Sequence, residues 1–203
     1  MATNDYHFVT HWRIDGTLRE VVDILSDAPG LARWWPSVYL DVRQLAPGDS
    51  TSLGKVVDLH TKSWLPYTRR WQFVVTEVTP ISFSLKASGD FDGVGTWYFG
   101  QNGDYVDVVY DWQIRADKLL RDWSFIMKPI FGMNHRWAMQ QGETSLKLEL
   151  ARRHANTEAE RSRIPAPPAP TTSSAIPLLV AAAGLALICL IVLRMIFAPH
   201  REA

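Results

Sequence analysis

The chain has 203 residues, 47% of them apolar, which is enough for one medium domain with its own core plus an appendage. Its 21 Lys and Arg balance its 21 Asp and Glu, and no basic stripe is interleaved with aromatics, which argues against nucleic acid as a partner. The only cysteine, Cys189, excludes an intrachain disulfide and a cysteine-built zinc site, in keeping with a reducing compartment.

The first residues, MATNDYHFVTHW, are polar and then alternating, without a basic region ahead of an apolar stretch, so no cleavable secretory signal is expected. Tyr6, Phe8, Thr10, Trp12 and Ile14 alternate with His7, Val9, His11 and Arg13, the period of a half-buried strand. His7 and His11 share its polar face and face solvent; with no third ligand nearby, neither a metal site nor a cofactor is expected. Thr17, with Glu20 three residues on, makes a capping box for a helix whose stripe is Leu18, Val21, Val22 and Leu25. A short helical turn carrying Leu31, Trp34 and Trp35 follows, ended by Pro36. Adjacent helical positions point about 100° apart, so one indole is expected in the core and the other, Trp35, at the rim of any pocket.

Six further strands are predicted at 38–45, 55–64, 68–78, 81–87, 94–99 and 105–115, with Pro47-Gly48, Leu65-Pro66, Thr79-Pro80 and Asn102-Gly103 marking turns. His60 and Asp58 share a strand face opposite Leu59 and Thr61 and read as a solvated pair rather than a general base. From Leu119 the period becomes helical. Leu120, Trp123 and Met127 make a short stripe, and Pro129 begins or kinks a long helix with Ile130, Trp137, Gln141 and Leu148 as its expected inner face. The glycines of DGVGTWYFG are wrongly spaced for a dinucleotide fingerprint, and no nucleophile elbow or phosphate loop is present, so no catalytic constellation is evident.

Residues 155–174 contain RIPAPPAPTTSS, a proline-rich run expected to be an extended, semi-rigid linker. From Ala175 to Leu193 the chain carries no charge; at about 1.5 Å per residue it spans roughly a 30 Å hydrocarbon core. A transmembrane helix is therefore expected over 175–197, with a short polar tail at 198–203. Arg161 and Arg163 on one side and Arg194 and Arg201 on the other do not choose an orientation. Tail insertion would leave the domain in the cytoplasm, and Ala182 with Ala186 forms a small-residue pair that fits a homodimer through the helix.

The order strand, two helices, a meander of strands, then a long helix, together with LARWWP and FGMNHRWAMQQGETSLKLEL, resembles the polyketide cyclase/START-like superfamily, the helix-grip or Bet v 1-like fold. The resemblance covers about residues 4–154, within a domain expected over 1–154. It implies an α+β helix-grip fold in which a curved antiparallel sheet of about seven strands wraps the long C-terminal helix, enclosing an apolar cavity for lipids, sterols, polyketides or other hydrophobic molecules. The alternating positions placed inward by period are Trp71, Phe73 and Phe83, then Trp97 and Phe99, then Tyr110 and Trp112. With Trp35 and a polar Asn134 on the helix they form the expected ligand-binding set. Three functions stay open: membrane-tethered binding or transfer of a hydrophobic small molecule or lipid, a cyclase or hydratase acting in the same cavity, and a membrane-bound assembly factor without ligand.

Overall fold

The computed structural model describes residues 5–115 and 124–172. Its elements are β1 (Asp5–Asp15), α1 (Leu18–Ser26), a 3-10 turn (Ala28–Gly30), α2 (Leu31–Trp34), β2 (Tyr39–Ala46), β3 (Val56–Lys62), β4 (Thr68–Thr79), β5 (Ser82–Gly89), β6 (Asp92–Asn102), β7 (Tyr105–Arg115), α3 (Ser124–His154) and α4 (Glu158–Arg163). The strands form one seven-stranded antiparallel sheet in the order β1-β7-β6-β5-β4-β3-β2. Only β1 is out of sequence, pairing with β7 from Asp5 opposite Arg115 to Asp15 opposite Tyr105. Register shifts within β2 and at Val75/Glu77 of β4 add residues to one strand of a pair, which bends the sheet into a trough.

The capping box forms as the spacing predicts: the Glu20 backbone N–H donates to the Thr17 hydroxyl at 3.4 Å and the Glu20 carboxylate accepts the Thr17 backbone N–H at 2.9 Å. The alternation also holds, with Trp12 and Ile14 buried and His7, Val9 and His11 exposed; His7 pairs with Asp111 at 3.0 Å across the outer face of the sheet.

The long helix runs through Pro129 rather than starting at it. Its buried face is Met139, Gly142, Ser145, Leu146, Glu149 and Leu150, while Ile130, Trp137, Gln141 and Leu148 are only half-buried. Hydrophobicity misplaced this stripe because the helix meets its neighbours through small residues. A Cβ at Gly142 would fall inside the ring of Trp35. Without that side chain, the indole lies against the helix backbone.

This overturns the expectation that Trp35 stands at a rim. Trp34 is 0% and Trp35 3% exposed, their rings 5.5 Å apart. Arg33 in α2 clamps the pair onto α3 through two hydrogen bonds to the Glu149 carboxylate, at 2.7 and 2.8 Å, and Arg153 adds a third at 3.2 Å. Burial pushes the Glu149 carboxyl up, but the two guanidinium groups more than offset it and hold its pKa below the ordinary carboxylate value.

The chain beyond α3 is not uniformly extended. Thr157 and Glu160 form a second capping box that opens α4. The proline run then follows the domain, with Arg152 donating to the Pro165 carbonyl and the Thr171 hydroxyl donating to the Ser63 carbonyl at 2.9 Å. The compact unit reaches Thr171; the chain from Thr172 forms a second unit. Among the described residues no helix is long and apolar enough to cross a membrane. The expected span at 175–197, the tail at 198–203, the Ala182/Ala186 pair, Leu120 and Trp123 lie outside the described residues.

Candidate ligand-binding site

Between the trough and α3 lies a cavity in two lobes. Lobe 1, about 180 Å³, sits where β1 begins and β7 ends; lobe 2, about 200 Å³, sits toward α1 and the β4–β5 hairpin. For scale, an apolar cavity of about 150 Å³ holds one benzene ring. Trp35, Tyr39, Trp71, Tyr110 and Met139 line both lobes and form the waist between them. Phe73, Phe83, Trp97 and Phe99 line lobe 2, and Trp112 and Asn134 line lobe 1. The structure thus brings all nine sequence-predicted positions to the cavity wall.

The waist is built by stacking. Trp97 lies on Tyr110 with ring centroids 4.1 Å apart, and Tyr110 lies parallel to Trp112 at 5.8 Å. Gly95 makes this possible: a Cβ there would stand 2.6 Å from the Tyr110 hydroxyl and 2.8 Å from the Trp112 ring. Trp71 is held by its indole N–H donating to the Thr61 hydroxyl at 3.0 Å.

Two polar groups in this apolar wall have no partner among the described residues: the Trp35 indole N–H and the Asn134 side-chain oxygen are buried without a hydrogen bond. Burial raises the pKa of both Tyr39 and Tyr110, with their mutual proximity adding to the Tyr110 shift, so both hydroxyls stay protonated and able to donate. His135 stacks on Phe8 at 4.5 Å and lies 3.2 Å from the Thr10 hydroxyl. Burial, aided by the Arg136 charge, lowers its pKa to about 4, so it is neutral near pH 7 and retains an acceptor nitrogen. A neutral imidazole, two phenols, an indole N–H and an amide within an aromatic shell can orient a carbonyl or hydroxyl and relay a proton. Among the described residues no cluster of His, Cys, Asp or Glu has a metal-holding arrangement.

Sequence reasoning missed Tyr39, Met139 and His135. Tyr39 opens β2 beside a register shift, where the period of two gives no face. His135 had a usable signal, lying four residues before Met139 on one helix face, but the misplaced stripe hid it.

No protein-family model and no curated protein matches the sequence. Solved structures do match by shape. The Zhui aromatase/cyclase from Streptomyces sp. R1128 has a TM-score of 0.60 at 16% identity, covering 75% of this chain and 97% of that one. A START superfamily protein from Mycobacterium smegmatis has 0.57 at 11%, covering 70% and 94%. Norcoclaurine synthase from Thalictrum flavum has 0.53 at 13%, covering 74% and 98%. This chain's architecture is similar to that of these solved structures. At these identities the likeness is one of fold: a seven-stranded antiparallel sheet with a long C-terminal helix, consistent with helix-grip.

Proposed function

We propose that this protein binds a hydrophobic small molecule or lipid in the two-lobed cavity, is tethered to a membrane by a helix over 175–197, and works on the cytoplasmic side. The observation that carries the binding reading is the aromatic waist with its unpartnered donors and acceptors. Trp35 Nε1 and Asn134 Oδ1 are buried without partners among the described residues, as are Trp34 Nε1, Ser37 Oγ and Ser145 Oγ, but only Trp35 and Asn134 of these residues line open volume, where a ligand can reach them. The fold is shared with a START superfamily protein and an aromatase/cyclase, which supports a hydrophobic ligand. The charge-free run from Ala175 supports the tether. Native mass spectrometry of the purified full chain tests the binding reading: a co-purifying apolar molecule, released by Trp71→Ala or by a bulky residue in lobe 1, is the expected result. An unliganded protein that binds no aromatic or acyl probe sinks it.

The second reading is catalysis in the same space, of the cyclase or hydratase type. It is favoured by the neutral His135 imidazole, which lines lobe 1 together with Asn134 on the helix and the Tyr110 phenol on the sheet. Positioning an extended substrate in a shaped pocket is itself a large part of such chemistry. Under this reading Tyr110→Phe and Asn134→Ala reduce turnover of a cyclisable substrate by more than tenfold while substrate still binds; unchanged turnover in both variants removes these residues from any catalytic role.

A further inference from the structure

Thr171 is fixed at the rim of lobe 1. Lys62 donates from Nζ to its carbonyl at 2.6 Å, Ser63 accepts from its hydroxyl, and both Lys62 and Ser63 line that lobe. Only three residues separate Thr171 from Ala175, where the apolar run begins. Four residue steps reach at most about 14 Å. A membrane-inserted run starting at Ala175 therefore holds the β3–β4 turn, and with it the mouth of lobe 1, close to the headgroups.

The composition of that turn points the same way. From Thr61 to Gln72 the chain contains Lys62, Trp64, Tyr67, Arg69 and Arg70 and no acidic residue. Trp, Tyr and basic side chains are the residue types enriched where protein meets a bilayer surface. Tyr67 is exposed, the Arg69 guanidinium sits 4.6 Å over its ring, and Arg70 is exposed. Asp90, the acidic group on this mouth, is engaged by the Arg70 backbone N–H at 2.7 Å.

The other mouth is the competing surface. Lobe 2 opens beside the exposed Leu53 and Ile81; Asp49 lies on the loop that carries Leu53, and Glu77 lies near the end of β4, while Lys55, the charged residue in the lobe's lining, is turned to the Ser26 carbonyl. Apolar exposure alone favours lobe 2. Charge and tether length both favour lobe 1, and charge decides attraction to an anionic surface within a Debye length of about 10 Å.

We propose that the β3–β4 turn docks on an anionic bilayer surface, so that lobe 1 opens onto the headgroups and its ligand exchanges with the membrane without crossing bulk water. The inference rests on the tethered reading above.

The lone cysteine makes the test direct. With Cys189→Ser as parent in the full chain, an environment-sensitive dye is placed by Tyr67→Cys or by Ile81→Cys. Each protein is reconstituted into phosphatidylcholine vesicles with or without about 30% phosphatidylserine. Circular dichroism melts first establish that both labelled chains fold like the parent. In vesicles bearing headgroup spin labels, the dye at 67 is expected to be quenched about fivefold more than the dye at 81. Phosphatidylserine should increase that quenching, and Arg69→Gln with Arg70→Gln should return it to the phosphatidylcholine level. Failure of the protein to float with vesicles overturns the tether and the docking together. Flotation with the dye at 67 unquenched, or with 81 quenched as strongly, overturns the docking alone. Insensitivity to phosphatidylserine and to the arginine substitutions overturns the anionic surface as partner.

Discussion

The two lobes share a waist but are built from different material. Lobe 1 takes one wall from α3, which contributes Phe131, Asn134, His135 and Ala138, and its mouth carries Lys62, Arg69 and Arg115. Lobe 2 takes only Met139 from α3; the sheet, α1, the 3-10 turn, α2 and the adjoining loops supply the rest, and its polar groups are mainly hydroxyls near the surface, with Lys55 donating to the Ser26 carbonyl. The helix thus supplies the polar chemistry and the sheet the apolar volume. Under the proposed binding, a ligand with one polar and one apolar end is expected to place its polar end in lobe 1.

The largest effect on this division is expected from loosening the wall between the lobes. Arg33→Ala leaves the Glu149 carboxylate, 3% exposed, with Arg153 as its remaining cation. Urea denaturation should show a loss of about 2 kcal/mol, less than for a fully buried pair because the Arg33 side chain is 59% exposed and Arg153 stays in place, and ligands of both lobes should weaken together because Trp35 is released. A variant that keeps its stability would mean the clamp is dispensable.

Gly142→Ala acts at the same wall from the other side. Alanine favours the helix by about 1 kcal/mol, but the new methyl meets a rigid indole, so a net loss of about 1–2 kcal/mol is expected. A shift in tryptophan emission should accompany it, since Trp35 must leave the waist. Stabilisation instead would show that the indole has room to move.

Filling each lobe separately sharpens the contrast. Ala138→Phe occupies lobe 1 and Val75→Phe lobe 2. Because both enter open volume, stability should change by less than about 1 kcal/mol. A probe with a carbonyl group should lose about tenfold in affinity with the first and less with the second by calorimetry. Equal losses would dissolve the distinction between a polar and an apolar lobe.

The effect that is smallest near neutral pH, and grows only on acidification, comes from a titration. The pKa of His135 is lowered from 6.5 to about 4 in the folded protein, so between those values the unfolded chain binds a proton that the folded one does not. This contribution to stability is fully present above pH 6.5 and is lost as pH falls toward 4, with a slope of about 1 kcal/mol per pH unit. His135→Gln should flatten the slope in that window; an unchanged profile would assign it to other groups.

Much of the fold was legible in the sequence. Alternation placed β1 and β7 on their correct faces, the Thr17 and Glu20 spacing marked the start of α1, and element order pointed to a sheet around a last helix. The aromatic half of the cavity wall was legible for the same reason, since a period of two assigns Trp71, Phe73, Trp97 and Tyr110 to one face without knowledge of the partner.

Tertiary structure alone decided the rest. Whether those rings would close on one another or leave volume depended on where α3 lies, and that depends on Gly142 and Trp35, more than a hundred residues apart in the chain. Hydrophobic periodicity measures how strongly each side chain avoids water. It does not register where a missing side chain lets a large one in, so it misplaced both the inner face of the helix and Trp35. The division into two lobes, the convergence of Tyr39 and Tyr110 on the waist and the fixing of Thr171 beside Lys62 all bring distant segments together. Their physical basis is shape complementarity, a property of the folded surfaces rather than of any local run of residues.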